Sequence, residues 1–181
     1  MHEKSMPLIL PETSSGSLAD LPGRQASANP GKVTFSVRSG SEWTDVTAAT
    51  FAADVAALAK GLMAAGIAPG EAVGIMSRTR YEWTVADFAL WSAGAVPVPI
   101  YETSSAEQVE WILGDSGAVG VFLESDKHKE VFEQVAGALP NVTRAWVIDE
   151  GAIDDLKAGG TEMSDDDLEA IDATMRAIIA A

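Results

Sequence analysis

Arg78 and Arg80 stand just beyond the apolar run Ala72-Val73-Gly74-Ile75-Met76. If that run is a strand of a parallel sheet, both lie past its carboxyl end, where α/β sheets take their ligands. A guanidinium at such a place can hold a carboxylate or phosphate through paired N–H donors. A second stretch of the same kind follows Val96-Pro97-Val98-Pro99-Ile100. There Tyr101-Glu102-Thr103-Ser104-Ser105 sets an aromatic ring, a carboxylate and hydroxyls directly after a strand. The candidate substrate-binding residues are therefore Arg78, Arg80, Tyr101 and Thr103. The competing readings are ordinary surface charge for the arginines and a loop with a helix cap for residues 101–105.

Other residue types carry less chemistry. The only imidazoles are His2 and His128, and His128 lies in the charged run Asp126-Lys127-His128-Lys129-Glu130, which reads as a solvated helix start. Asp154, Asp155, Asp165, Asp166 and Asp167 lack the alternating ligands and fixed glycine of a calcium loop, so helix capping explains them better than a metal. Trp83, Trp91 and Trp111 fall in helical patterns and read as core packing, with the wall of an acyl-chain pocket as the alternative. The sequence contains no GxxxxGK[ST] loop, no G-x-G-x-x-G turn and no G-x-S-x-G elbow. No catalytic residue and no metal ligand is assigned.

The elements that must position these residues follow from periodicity. Residues 1–30 are rich in Ser, Pro, Gly and Ala without a repeating apolar face, and are expected to form a flexible leader. Val33 to Val37 alternates, Ser39-Gly40-Ser41 turns, and Trp43 to Val46 alternates again, which predicts a β-hairpin. Phe51, Val55, Leu58 and Leu62 recur at helical spacing before Gly66. Apolar runs at 72–76, 96–100, 118–123 and 145–148 then alternate with helical patterns at 81–94, 104–117 and 127–139. Ser104-Ser105 with Glu107 and Gln108 supplies a capping box. The prolines at 97 and 99 put the continuity of their strand in question. A last helix opens at Ser164 with carboxylates in its first turn and an apolar face of Leu168, Ile171, Met175 and Ile178. The expected class is α/β: a mostly parallel sheet with helices on both faces, preceded by a hairpin.

Composition narrows the partners. The 181 residues carry a formal net charge of −15, which disfavours nucleic acid and anionic lipid. Zero cysteines exclude disulfides and thiolate chemistry and fit a cytoplasmic location. The longest apolar stretch, residues 88–101, is too short for a membrane span and contains two prolines.

Four segments, in order, resemble a known family. Leu62-Met63-Ala64-Ala65-Gly66-Ile67-Ala68-Pro69-Gly70-Glu71-Ala72-Val73-Gly74-Ile75-Met76-Ser77 is similar to the helix, turn and strand that open adenylate-forming (AMP-binding) enzymes. Ser77-Arg78-Thr79-Arg80-Tyr81-Glu82-Trp83, then Gly94 to Ser105, then Ile112-Leu113-Gly114-Asp115-Ser116-Gly117-Ala118 resemble the long-chain fatty-acid–CoA ligase branch. The family often has asparagine where Thr79 stands.

The resemblance implies an incomplete N-terminal domain over residues 31–181, truncated before the family's Tyr-Thr-Ser-Gly-Thr-Thr-Gly-x-Pro-Lys-Gly phosphate loop. It implies ATP, magnesium and coenzyme A as cofactors and a fatty acid as substrate for full-length relatives, with none of the cofactors bound by this chain alone. The chain alone is expected to be inactive, since the catalytic lysine of the family's C-terminal domain is also absent. An unfinished sheet is expected to favour self-association. The alternatives are a non-enzymatic α/β binding module or a fragment of another adenylate-forming enzyme.

Overall fold

The computed structural model of the chain describes residues 16–179. The predicted hairpin forms from β1 (Val33–Ser39) and β2 (Glu42–Thr47), paired antiparallel. Thr47 then caps α2 (Ala48–Ala64), its hydroxyl accepting the Thr50 N–H at 3.2 Å. Phe51, Val55, Leu58 and Leu62 are buried along one stripe of α2, as their spacing predicts. The helix closes at Gly66, whose φ of +82° only glycine adopts easily. The Gly66 N–H donates to Met63 C=O and the Ile67 N–H to Leu62 C=O, which satisfies two carbonyls of the last turn.

Four strands, β3 (Ala72–Met76), β4 (Val96–Ile100), β5 (Gly120–Leu123) and β6 (Arg144–Val147), make one parallel sheet in the order β4-β3-β5-β6. The chain moves outward from β3 to β4, then crosses back past β3 to β5 and on to β6. Right-handed crossovers in opposite directions put helices on opposite faces. α3 (Tyr81–Ser92) accordingly joins α2 and α6 (Ala152–Gly159) over one core, which includes Leu58, Ile75, Leu90 and Phe122. α4 (Ala106–Asp115) and α5 (Asp126–Glu133) cover the other, which includes Met76, Val109, Leu113 and Val121. β3 and β5 are buried on both faces, which explains their unbroken apolar runs.

The two prolines leave β4 intact because of where they point. The Val96 N–H donates to Glu71 C=O at 2.8 Å, so the N–H groups of Val98 and Ile100 face β3 as well. Pro97 and Pro99 then face the outer edge, where no ladder bond is lost. Their missing donors also blunt that edge against a further strand.

Three sequence expectations change. Within residues 1–30, read as a leader without regular structure, Leu18–Asp20 is a 3-10 turn and Leu21–Ala28 is α1, which packs against α2 with Pro22 buried. The small residues Gly23, Ser27 and Ala28 of α1 and Ala52 and Ala56 of α2 line a cavity beside this contact, and hydrophobic periodicity does not flag them. Residues 1–15 lie outside the described part. His128 is buried, its Nδ1 2.9 Å from the Ser125 hydroxyl, because its helix face turns toward the sheet. Trp111 points outward with 68% of its surface exposed, while Val109 and Leu113 take the core side of α4.

The last helix, α7 (Asp165–Ile179), opens as expected: the Ser164 N–H and hydroxyl both bond the Asp167 carboxylate, and the Asp167 N–H returns to the Ser164 hydroxyl. Asp165 meets Lys60 at 2.7 Å. Leu168 is half-buried against α2 and α3, whereas the side chains of Met175 and Ile178 lie outside the described residues.

On α3, burial pushes the Asp87 carboxyl up to about 6. A folded pKa above the ordinary value near 4 means that folding takes up a proton. The stability tied to Asp87 is therefore largest below about pH 4 and declines as pH rises through about 6. Asp87→Asn is expected to raise the melting midpoint at about pH 7.5 and to leave it unchanged at about pH 4. An equal shift at both pH values would remove the titration from the explanation.

Candidate functional site

The register Met76↔Ile100, Met76↔Leu123 and Leu123↔Val147 brings the ends of all four strands to one rim. Residues 77–80, 101–103, 124–125 and 148–150 follow along it. Strands β3 and β5 send their chains in opposite directions, so the crevice of this doubly wound sheet lies between their carboxyl ends.

That crevice is closed by Glu124. Its Oε2 accepts the Arg78 N–H at 2.9 Å and the Ser77 hydroxyl at 3.3 Å, and its Oε1 lies 2.9 Å from Arg78 Nε. The carboxylate is 9% exposed, while the Arg78 side chain is 67% exposed. Sequence reading missed Glu124. The available signal was a lone acid directly after the apolar run Gly120 to Leu123, at the same sheet end as two arginines.

Arg80 is engaged more fully. Its Nε and a terminal nitrogen hold both oxygens of Glu82 at 2.8 and 3.1 Å, and the other terminal nitrogen donates to Asp149 at 2.6 Å. The bonds to Glu82 raise the Arg80 pKa well above its ordinary value, against a smaller opposing effect of burial. The same bonds hold the Glu82 carboxyl below the usual range. Arg80 thereby ties the start of α3 to the loop after β6.

Behind it, the Tyr81 hydroxyl donates to Asp54 at 2.6 Å, and Lys157 Nζ reaches the other Asp54 oxygen at 2.7 Å. This links α2, α3 and α6. Burial, followed by the bond to Asp54, raises the Tyr81 phenol far above its ordinary value.

Tyr101 and Thr103 occupy the same rim after β4. Tyr101 is 82% exposed and Thr103 is exposed, and neither side chain has a polar partner among the described residues. Ser105 next to them completes the predicted capping box with Gln108. Of the four candidate residues, the structure thus joins Arg78 and Arg80 through acidic partners and leaves Tyr101 and Thr103 facing outward. Trp83 is half-buried against the α2–α3 core, and Trp91 stacks edge-on to Phe88 at 5.1 Å.

The sequence pattern of the family described as "AMP-binding enzyme" matches residues 23–178, most of the chain. The chain belongs to the AMP-binding enzyme family. Over 137 residues it is 44% identical to long-chain-fatty-acid–CoA ligase FadD15 of Mycobacterium bovis, covering 74% of this chain and 23% of that ligase. The Mycobacterium tuberculosis FadD15 ligase is 43% identical over the same length. A long-chain-fatty-acid–CoA ligase from Archaeoglobus fulgidus shares the fold with a TM-score of 0.72 at 24% identity, over 81% of this chain and 30% of that one. The chain therefore spans about a quarter of the length of the curated relatives it matches. The matched region begins within α1, so the family pattern reaches into the stretch read as a leader.

Proposed function

We propose that the chain forms the front part of an ATP-dependent long-chain fatty-acid–CoA ligase. The observation that carries this reading is the 44% identity with the FadD15 ligase over 137 residues. In the proposed reaction a fatty-acid carboxylate attacks the α-phosphate of ATP and releases pyrophosphate. The acyl-adenylate then passes its acyl group to coenzyme A and releases AMP. Such chemistry needs donors arranged around developing phosphoryl charge, with magnesium to neutralise it.

The rim does not fit a magnesium–triphosphate as it stands, because Arg80 is bound by Glu82 and Asp149 and Glu124 is bound by Arg78. We assign no step of the nucleotide chemistry to these residues. Their role in this reading is to brace the rim, while Arg78, Tyr101 and Thr103 offer the exposed groups for contact with substrate. We place the protein in the cytoplasm, and among the described residues no helix is long and apolar enough to cross a membrane. The outer edge of β6, which among the described residues pairs only with β5, is the surface we assign to self-association.

A second reading, activation of a different acyl acid, draws on 34% identity with a feruloyl-CoA synthase of Amycolatopsis over 119 residues. One pair of assays tests both. The 181-residue chain alone is expected to catalyse no ATP–pyrophosphate exchange with any fatty acid. Joined in frame to the remaining part of the Mycobacterium tuberculosis FadD15 ligase, it is expected to support exchange that depends on a long-chain fatty acid. Exchange by the chain alone would overturn its predicted inactivity. A cooperatively melting chimera that responds only to an aromatic acid would replace the fatty-acid reading with the second.

A further inference from the structure

The geometry points to a binding site for a phosphoryl anion in the cleft between the hairpin and the start of α3, gripped by Arg38 and Arg78. This cleft of about 480 Å³ is lined by Arg38, Arg78, Thr79, Arg80, Glu82 and Thr84, among others. It lies on the hairpin side of the rim, outside the closed crevice between β3 and β5.

The charges decide its character. Arg80 and Glu82 form a two-pronged pair and cancel one another. Arg78 gives only its Nε to Glu124, and Arg38 gives only its Nε to the Gly40 carbonyl, at 2.9 Å in each case. The two terminal nitrogens of each guanidinium have no partner among the described residues. Two forked donors thus border one cavity from different elements, Arg38 on β1 and Arg78 on the loop after β3. The first turn of α3 also lines it, and a helix start favours negative charge.

A carboxylate is satisfied by one guanidinium fork, whereas a phosphoryl group presents three oxygens and about two negative charges and suits two. The chain's net charge of −15 makes a cleft with two incompletely paired arginines a local exception and not a reflection of general basicity. The site rests on groups of this chain alone and does not depend on the ligase reading.

The test is an NMR titration of the ¹⁵N-labelled 181-residue chain, without magnesium and at constant ionic strength. The ligands are inorganic pyrophosphate, adenosine 5′-monophosphate and octanoate in separate arms. Saturable shifts are expected at the Arg38 and Arg78 Nε–H signals and at the amides of residues 79–82. Tighter binding of pyrophosphate assigns the site to a free phosphate, and tighter binding of the nucleotide assigns it to a nucleotide phosphate.

R38Q and R78Q are each expected to weaken binding about fivefold, and R24Q, in a different part of the fold, to leave it unchanged. R78Q also frees the carboxylate of Glu124, so the exposed R38Q carries the decision if R78Q unfolds. The proposal is overturned by an absence of saturable shifts at these residues, by R38Q binding as tightly as the parent, or by octanoate binding as tightly as pyrophosphate. None of those failures touches the exchange assay on the chimera.

Discussion

Gly61→Ala is expected to lower stability by about 3 kcal/mol. At Gly61, α2 crosses α6 backbone to backbone. A Cβ there would lie 2.1 Å from the Leu156 carbonyl oxygen, and a Cβ on Gly160 would lie 2.4 Å from the Gly61 nitrogen. Neither obstacle is a side-chain tip that can rotate away, so the helices must separate. Leu58, Leu62, Ile153 and Leu156, which share the core at this crossing, would then lose contact. Urea denaturation of the variant should show a lower midpoint with an unchanged slope. Gly137→Ala, where nothing beyond the adjoining backbone lies within 4 Å of an added Cβ among the described residues, is the matched control and should be near neutral. Equal stability of the two variants would mean that the α2–α6 contact is looser than described.

Glu124→Ala is expected to cost about 2 kcal/mol, between the values for exposed and buried ion pairs because Arg78 is largely solvated. The substitution leaves the Arg78 N–H without its acceptor, while the Ser77 hydroxyl keeps its 2.9 Å bond to the Arg78 carbonyl. Glu124→Gln keeps an acceptor oxygen for the Arg78 N–H while losing the charge, so it should fall between the parent and the alanine variant. Thermal melts of the three proteins at matched pH and low salt would resolve the order. Identical midpoints for the glutamine and alanine variants would place the whole effect in the charge. A neutral alanine variant would show that the closed crevice contributes nothing to the fold.

These two positions mark where sequence reading stops. Phe51, Val55, Leu58 and Leu62 declared α2 because helix periodicity is local, and the runs at 72–76 and 120–123 declared strands buried on both faces for the same reason. Alternation at Val33 to Val37 and Trp43 to Val46 was enough for the hairpin, and Ser105 with Gln108 for the cap of α4. The order of the strands, the helices between them, the α/β class and the family were legible in this way, whereas α1 and α6 were not read. So were the rim positions of Arg78, Arg80, Tyr101 and Thr103, since each follows a strand.

What the arginines touch was not legible. Glu124 meets Arg78 across 46 residues and Asp149 meets Arg80 across 69, and each pairing exists only because β5 lies beside β3 and β6 beside β5. Trp111 faces outward because α4 spends its core side on Val109 and Leu113, a rotation that a mixed apolar pattern leaves open. α1 packs against α2 through a face rich in small residues, and Gly61 meets a helix nearly a hundred positions away, neither of which has an apolar period to announce it. Local spacing along the chain determined the hairpin, the sheet strands and the helices between them. Strand order and helix crossing, which are contacts at long sequence separation, decided which charges pair, which crevice is closed and which cleft is left open.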